Sequence, residues 1–349
     1  MTADSVETSS AIARQLFLRT FSAGVPLGNV AAQLSRLMRD EVFPAGATLY
    51  RRGEASNRIF FLVKGRVSLS MEGMPPWVFE AGTSVGLLDV LQDRSHKRTA
   101  TALSDVRALS LAAEDYFDVL EDNFEFTRNS IVKIAAALHT LRLSLMPSGG
   151  FGAATDAIPV SRGRLTVEPY SDPLRAAFGM GGGLPVRPLN LVERTIALRE
   201  VPALRSSSIQ ALTSMAGLIE ERGLRPGEVL FKQGDPAAAI YIVVRGLLEL
   251  ERIDPLIMAT FGERTLVGGF ASLGSSDHPY TARARDPSTV LALDKEDLFD
   301  LLELHFELVR SIFAGVAAER EQVLFLKAAQ QAEENRGAAD SLFDVESAT

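Results

Sequence analysis

The chain has 349 residues, enough for two or three domains, and a formal net charge of −8 at pH 7. It has no cysteine, which excludes disulfides and thiolate-bound metals, and its acidic balance argues against nucleic acid as a partner. No apolar run reaches the length of a membrane span, and the first residues lack the apolar core of a secretion signal. We therefore expect a cytoplasmic protein that binds neither membrane nor nucleic acid.

Helical and strand patterns alternate along the first half of the chain. Residues 1–10 are polar and are expected to be flexible, and residues 11–40 show helical periodicity. Strands are predicted from Val42 onward, separated by glycine turns and by a turn at Met74–Pro76. After the last strand, a long helix is predicted to begin at Glu114.

The stretch Ala81–Ala102 differs from the strands around it. Gly82 and Gly86 permit tight turns, residues 87–91 can form one helical turn, and an exposed polar loop is predicted before the next strand. The first N–H groups of a helix have no partner within it and can bind a phosphate. Arg98 follows the loop, so its fixed positive charge is expected to face the same spot.

The second half of the chain repeats the first at a nearly constant offset. Residues 240–246 match residues 59–65, and residues 296–303 match residues 114–121 with the offset longer by one residue. A change of one residue across a loop is compatible with a structural repeat. We therefore predict five segments: a flexible N-terminus at 1–10, a first domain at 11–146, a Gly/Pro-rich linker at 147–190, a second domain at 191–327 and a disordered acidic tail at 328–349.

These features resemble a known family, the cyclic nucleotide-binding domains. The resemblance rests on the pattern I-x-x-L/V-x-x-G at residues 59–65 and 240–246, on the glycine, short helix and arginine within 81–102, and on the acidic, aromatic helix after the last strand. It implies a mainly β fold with flanking α-helices. Two double-sheet, jelly-roll-like β-rolls are expected, each a cyclic nucleotide-binding domain followed by a long helix.

In that family a glycine–glutamate pair opens the short helix and an arginine closes the stretch, which we call the cassette. The glutamate accepts a hydrogen bond from the ribose, and the arginine pairs with the cyclic phosphate. Gly86 and Arg98 match the glycine and the arginine, whereas Leu87 stands at the glutamate position. The resemblance implies a weak or altered site for cAMP or cGMP in the first domain, formed by Gly86, Leu87, Leu88, Arg98 and Thr99. An exposed basic loop without a ligand is the open alternative.

The second cassette lacks both charged anchors of the family. Gly268 and Gly269 open it, with Gly269 at the glutamate position, and Tyr280 stands at the arginine position. Arg283 and Arg285 follow, but neighbouring strand residues alternate faces, so neither replaces the arginine simply. We therefore predict that the second site binds no cyclic nucleotide and that Tyr280 fills it.

No motif in the sequence indicates catalysis or a metal site. There is no phosphate-binding loop of an NTPase, no nucleophile elbow and no H-E-x-x-H motif, and no histidine has metal-ligand spacing with a carboxylate. His96 and His278 occupy equivalent places, and we interpret both as loop residues inherited with the duplication. The prediction is a protein that is not an enzyme and that has no cofactor other than cAMP or cGMP.

The helices after the two rolls carry apolar residues at alternating spacings of three and four. This seam runs through residues 117–145 in the first copy, with Thr127 as its polar exception, and through residues 299–323 in the second. A seam of about four heptads can form a coiled coil. The first turns are expected to pack on their own roll, and the rest to bind a protein partner or a second copy of the chain.

Two functions remain open at this point. The first is a regulatory protein that senses a cyclic nucleotide and signals through its long helices to a protein partner. The second is a ligand-free scaffold or adaptor in which both rolls serve protein–protein assembly.

Overall fold

The structure, a computed structural model, describes Arg14 and residues 29–144, 187–253, 256–268 and 270–325. The chain divides between Lys133 and Ile134 into two compact units. Four predicted segments lie wholly or largely outside the described residues: 1–10, 11–40, 147–190 and 328–349. The predicted domain limits therefore stay predictions.

The first unit contains a roll of two antiparallel sheets. Its strands are β1 (Arg39–Phe43), β2 (Thr48–Tyr50), β3 (Arg58–Lys64), β4 (Arg66–Met71), β5 (Met74–Glu80), β6 (Ser84–Val85), β7 (Thr99–Ala102) and β8 (Val106–Ala112). They are arranged in the orders β1-β8-β3-β6 and β2-β7-β4-β5. Helix α1 (Val30–Leu37) precedes β1, and the predicted short helix, α2 (Leu87–Leu91), lies between β6 and β7.

The core of this roll lies between the inner faces of its two sheets. Buried and more exposed positions alternate along β4, so Val67 and Leu69 face inward, as the period of two of a strand requires. One row of paired neighbours crosses the second sheet on this inner face. Its members, which we call the Tyr50 row, are Tyr50 on β2, Ala100 on β7, Leu69 on β4 and Trp77 on β5.

The turn predicted at Met74–Pro76 is wrong, because these residues belong to β5. The turn lies just before them, at Gly73, which has a φ of 75°. Among the described strands, β5 pairs with β4 alone and forms the edge of its sheet. Proline cannot donate to a ladder, so it is tolerated on the outer side of an edge strand, and the pairing with β4 is irregular between Leu69 and Met71, opposite Pro75 and Pro76.

The long helix predicted after the first roll is two helices. Helix α3 (Ala113–Asp122) ends at Asn123, whose φ of −130° and ψ of 65° are not helical, and α4 (Phe124–Ser144) follows at once. The Asn123 side-chain amide donates to the Val119 carbonyl at 2.8 Å, which favours a helix end at this point. The prediction of one continuous seam over residues 117–145 is therefore wrong.

Helix α4 buries a narrow stripe of side chains. Ile131, Ala135 and Leu138 are buried, at the spacing of one helix face. Thr127, predicted as the polar exception, is fully buried, and its hydroxyl donates to the Leu120 carbonyl at 2.7 Å. This hydrogen bond joins the first turn of α4 to α3.

The second unit contains the second roll. It begins with α5 (Leu191–Glu200), a 3₁₀ turn at Pro202–Leu204 and α6 (Ile209–Leu218). Its strands are β9 (Glu220–Leu224), β10 (Val229–Phe231), β11 (Ala239–Arg245), β12 (Leu248–Ile253), β13 (Leu256–Phe261), β14 (Thr265–Leu266), β15 (Thr281–Ala284) and β16 (Ser288–Asp294). The sheet orders are β14-β11-β16-β9 and β10-β15-β12-β13, which repeat the pattern of the first roll.

The helix after the second roll is also interrupted. Helix α7 (Lys295–Leu304) ends at His305, with a φ of −128° and a ψ of 83°, and α8 runs over residues 306–325. The seam predicted over residues 299–323 is thus divided at the position equivalent to Asn123. The predicted fold class is nevertheless confirmed, because each half of the described chain is a double-sheet β-roll followed by helices.

Candidate functional site

The first cassette begins at a glycine that no other residue can replace without strain. Gly86 has a φ of 88°, in the left-handed region, and precedes α2. A Cβ built there would lie 2.9 Å from the Arg58 carbonyl oxygen and 3.6 Å from His96 Cε1. The N–H groups of Asp89 and Val90 donate to the Gly86 carbonyl, which starts the hydrogen bonding of α2. The N–H groups that precede Asp89 have no acceptor within the helix.

Arg98 lies inside the first roll and not on its surface. Only 7% of the residue is exposed, and its guanidinium carbon lies 3.5 Å from the centroid of the Trp77 ring. Arg98 precedes Ala100 by two residues and therefore shares its inner face of the sheet. The alternative of an exposed basic loop is therefore wrong at Arg98, which is buried.

Tyr50, which lies at the β2 end of the Tyr50 row, is influenced by one negative and one positive charge. Burial raises the pKa of its hydroxyl well above the usual range, and the negative charge of Asp89 raises it further. The positive charge of Arg98 acts in the opposite direction. Both charged groups therefore act on the same buried ring, which links α2 to the start of β7.

Asp89 on α2 is held by two partners. Its carboxylate oxygens lie 3.1 Å from His96 Nδ1 and 2.8 Å from Arg94 Nε. Burial alone would raise the pKa of this carboxyl, but the hydrogen bonds and charges of His96 and Arg94 outweigh burial and lower it. Since both oxygens are engaged, Asp89 is poorly placed to replace the missing glutamate, and the hydrocarbon side chain of Leu87 cannot accept a hydrogen bond.

His96 lies in the loop between α2 and β7, as interpreted from the sequence, and its side chain belongs to the core. It is 3% exposed and stacks on Tyr50, with the ring centroids 3.5 Å apart and 11° between the ring planes. Its backbone is also fixed, because its N–H donates to the Glu54 carbonyl and its carbonyl accepts from Gly53. The loop packs inward because an aromatic ring on β2 offers the imidazole a flat apolar surface.

The other predicted residues of the first site are placed differently. Leu87 and Leu88 are half-buried at the start of α2. Thr99 begins β7 and faces the opposite side of the strand from Arg98. Its hydroxyl oxygen accepts the Arg52 N–H at 3.1 Å, which is a structural contact on the outer side. The structure therefore brings Arg98 and the start of α2 toward Tyr50 but turns Thr99 away.

Tyr280 fills the second cassette. It is 5% exposed, and a Cβ built on Gly268 would collide with its hydroxyl oxygen and lie 2.9 Å from its Cζ. Gly268 has a φ of 79°, like the first cassette's glycine, whereas Gly269 lies outside the described residues. The segment after them, Phe270–Gly274, is a 3₁₀ helix where the first cassette has α2.

The second cassette is held by hydrogen bonds from a lysine and by close packing against backbone atoms. The Lys295 ammonium donates to the carbonyls of Ser272, at 3.0 Å, and Ser275, at 2.9 Å. At the end of the 3₁₀ helix, an added Cβ on Gly274 would collide with the backbone of Ala135 and Ala136 in the same unit. These contacts show that the cassette is tightly packed at both its middle and its end.

The two rolls can be compared position by position. In the second roll the corresponding row of paired neighbours consists of Phe231, Ala282, Leu250 and Ala259, which we call the Phe231 row. Alanine and leucine occupy the middle of both rows. Three positions differ in residue type between the two rolls: Phe231 corresponds to Tyr50, Ala259 to Trp77 and Tyr280 to Arg98.

His278 repeats the stack of His96 but in a different electrostatic setting. It is buried against Phe231, with ring centroids 3.5 Å apart and 9° between the planes. Burial first, and then the positive charge of Lys295, lower the pKa of His278 to about 4. Like His96, it lies in a loop, as interpreted from the sequence, and its side chain belongs to the core.

Among the residues that the structure describes, no group of histidine, aspartate or glutamate side chains could hold a metal ion. Within the same described ranges, no helix is both long and apolar enough to cross a membrane.

Comparison with known proteins decides which family these rolls belong to. The family model for the cyclic nucleotide-binding domain matches residues 40–123 and residues 221–305, one segment in each roll. The chain contains two cyclic nucleotide-binding domains. The resemblance read from the cassette and the strand pattern is confirmed in both halves.

Several known proteins are similar in sequence to part of this chain. A cyclic nucleotide-gated potassium channel of Rhizobium etli is 32% identical over 131 residues, which are 36% of this chain and 36% of the channel. The potassium channel GORK of Arabidopsis thaliana is 29% identical over 133 residues, which are 36% of this chain and 16% of the channel. The chain thus spans about a third or less of the length of these channels.

Among solved structures, the regulatory domain of Toxoplasma gondii PKA with cAMP is 13% identical to this chain. The match covers 89% of this chain and 97% of that one, with a TM-score of 0.32. The regulatory subunit of a cAMP-independent protein kinase A from Trypanosoma brucei is 12% identical, over 88% and 87% of the two chains, with a TM-score of 0.31.

Proposed function

We propose that the protein is a non-enzymatic regulator whose first domain binds cAMP or cGMP weakly and whose second domain binds neither. The bound state is passed to a protein partner through the helical segments 117–145 and 299–323. The observation that carries this proposal is the buried position of Arg98. Its guanidinium lies on Trp77, and its charge acts on the buried hydroxyl of Tyr50.

The chemistry of the guanidinium group supports an anionic ligand at Arg98. Stacking on Trp77 engages the flat face of the group, whereas its N–H donors project from the edge. A phosphate is bound at that edge by two parallel hydrogen bonds, which are stronger than bonds between neutral groups. The backbone at Gly86, Leu87 and Leu88 would add N–H donors at the start of α2.

The binding is weak because the site cannot read the ribose in the way of the family. Leu87 offers no acceptor, and the nearest carboxylate along α2, Asp89, is engaged by His96 and Arg94. A hydrogen bond to a charged group contributes about 1.5–3 kcal/mol, so its loss weakens binding by about one to two decades. In the second domain the ring of Tyr280 occupies the space against Gly268.

Calorimetry on the full chain tests this proposal with cAMP and cGMP as probes. The wild type is expected to bind at least one of them, Arg98→Ala to lose binding, and Tyr280→Phe to leave it unchanged. Arg52→Ala is the matched control, because Arg52 is an exposed cation close to the cassette and its hydrogen bond to Thr99 is made by its backbone N–H. No heat from the wild type with either nucleotide, or equal heat from Arg98→Ala, would refute the sensor function.

A ligand-free scaffold is the second candidate, and the filled second cassette favours it. In that function both rolls serve assembly, and the exposed side of α4 is the surface open to a partner or a second copy. Because Leu138 is buried within the chain, an exposed neighbour such as Ala137 is the better site for a disruptive change. Light scattering should then show an oligomer that Ala137→Arg dissociates and that Arg98→Ala leaves intact; a monomeric wild type would contradict self-assembly.

A further inference from the structure

The stack of Arg98 on Trp77 joins two residues that are far apart in the sequence. Trp77 is the only tryptophan of the chain, and it lies on the edge strand β5, half-buried. Arg98 stands just before β7, two strands away from β5 in the sheet. The guanidinium carbon nevertheless lies 3.5 Å from the centroid of the indole ring.

The Tyr50 row explains how the indole reaches the arginine. Trp77 pairs with Leu69, Leu69 pairs with Ala100, and Arg98 stands on the same face two residues before Ala100. The methyl side chain of Ala100 leaves room on this face, so the indole ring of Trp77 and the long side chain of Arg98 can meet there. Contact between non-adjacent strands therefore depends on one large and one small residue in the same row.

The second roll shows what accompanies the loss of the cation. At the register position of Trp77 it has Ala259, which pairs with Leu250 just as Trp77 pairs with Leu69. At the position of Arg98 it has Tyr280. The rows otherwise keep their alanine and leucine, so the indole and the guanidinium are absent together from the roll that we propose not to bind.

We propose that Trp77 is the positioning residue of the first site: its indole face holds the Arg98 guanidinium inside the roll with the N–H edge turned to the ligand phosphate. This inference rests on the proposed function, because it assigns a role within the same site. An arginine side chain has many rotamers, and a flat π surface selects those in which the planar group lies parallel to it. The ligand then meets a donor fork that is already oriented.

Two substitutions separate the aromatic face from simple bulk. Trp77→Leu keeps an apolar side chain on β5 but removes the π surface, whereas Trp77→Phe keeps a smaller π surface. With cAMP as the probe and the full chain in the calorimeter, Trp77→Leu should bind at least about threefold more weakly than wild type. Trp77→Phe should stay within about threefold of wild type, because a phenyl face retains part of the attraction.

If Trp77→Leu binds cAMP as tightly as the wild type, or Trp77→Phe loses as much as Trp77→Leu, the positioning role is overturned while the sensor function stands. If the wild type binds no nucleotide, the sensor function fails. A measurement without ligand then tests whether Trp77 holds Arg98 in place. In the NMR spectrum, the Arg98 Nε–H proton should show a ring-current shift in the wild type and in Trp77→Phe but not in Trp77→Leu. An unshifted Arg98 proton in the wild type would overturn the proposal.

Discussion

His278 stacks on Phe231 with the ring centroids 3.5 Å apart and the ring planes 9° from parallel. The first roll has the same arrangement between His96 and Tyr50, at 3.5 Å and 11°. Around these stacks the two rolls have diverged, because Asp89 is bound to His96 whereas Lys295 acts on His278. The same packing unit therefore lies beside a hydrogen-bonded carboxylate in the first domain and is influenced by the charge of a lysine in the second.

The depressed pKa of His278 predicts a loss of stability in mild acid. Its pKa is about 4 in the folded protein against 6.5 for an ordinary histidine, so between these values the unfolded chain binds more protons. Stability should therefore fall as the pH drops from about 6.5 to 4, by about 1–2 kcal/mol after allowance for solvent screening. Urea denaturation at a series of pH values should show a smaller fall in His278→Phe, which keeps the stack on Phe231. Equal slopes in the two proteins would contradict this assignment.

Gly268 and Gly227 form a matched pair for testing the Tyr280 contact. Both have a left-handed φ, 79° and 83°, but a Cβ would collide with Tyr280 at Gly268 and meet nothing within 4 Å at Gly227. Gly227→Ala should cost about 1–2 kcal/mol from backbone strain, and Gly268→Ala at least about 1 kcal/mol more.

The double variant Gly268→Ala with Tyr280→Phe should recover part of that difference, because it removes the hydroxyl oxygen that the new methyl group meets. Chemical denaturation gives all four free energies of unfolding. If the two alanine variants lose the same stability, Tyr280 does not press on the cassette glycine.

Thr127 and Thr140 test the buried hydroxyl at the start of α4. The Thr127 hydroxyl is fully buried and donates to the Leu120 carbonyl at 2.7 Å, whereas the exposed Thr140 hydroxyl donates to the Ala136 carbonyl at 3.1 Å. Thr127→Val should lower the free energy of unfolding by about 1–3 kcal/mol, because a buried carbonyl loses its donor. Thr140→Val should change it by less than about 0.5 kcal/mol. Similar losses at the two sites would mean that burial of this bond has no energetic consequence.

Asp89 is predicted to stabilise the first cassette as a carboxylate. Asp89→Asn should destabilise the protein by about 1–2 kcal/mol at pH 7, allowing for solvent screening, because it weakens the bonds to His96 and Arg94. The folded pKa of Asp89 lies below 3.8, so this contribution is present above pH 3.8 and is lost as the pH falls through the folded pKa. The gap between variant and wild type should therefore close in strong acid.

Asp93→Asn is the control for Asp89→Asn, because Asp93 is exposed in the same loop and has a φ of 46°, which asparagine tolerates. It should leave stability within about 0.5 kcal/mol of wild type across the pH series. A gap for Asp89→Asn that persists unchanged in strong acid would contradict the charged form of the contact.

Local patterns were sufficient to predict most of the fold. The strands around residues 59–63 and 106–111 follow from runs of β-branched and apolar residues between glycine turns, and the duplication follows from matched offsets. Gly86 was predictable because a short helix needs a tight entry. These features depend on neighbours along the chain, where sequence patterns are informative.

Two contacts that the sequence analysis missed join residues far apart in the sequence. The burial of His96 depends on Tyr50, and the setting of Arg98 depends on Trp77 across two intervening pairings. A usable signal was present for the first: each copy has a histidine in the loop and an aromatic residue at the end of its second strand. The helix end at Asn123 also had a signal, an asparagine inside an apolar periodic run.

The two prolines of β5 have a consequence beyond the roll itself. An edge strand presents a free row of backbone groups on which another chain can add a strand, and this is a common route to aggregation. Pro75 and Pro76 are exposed on such an edge and carry no N–H, and because the N–H groups of successive residues point to opposite edges of a strand, one of the two prolines removes a donor from the free edge. The edge strand beside the candidate site is therefore a poor template for sheet extension and amyloid-like growth.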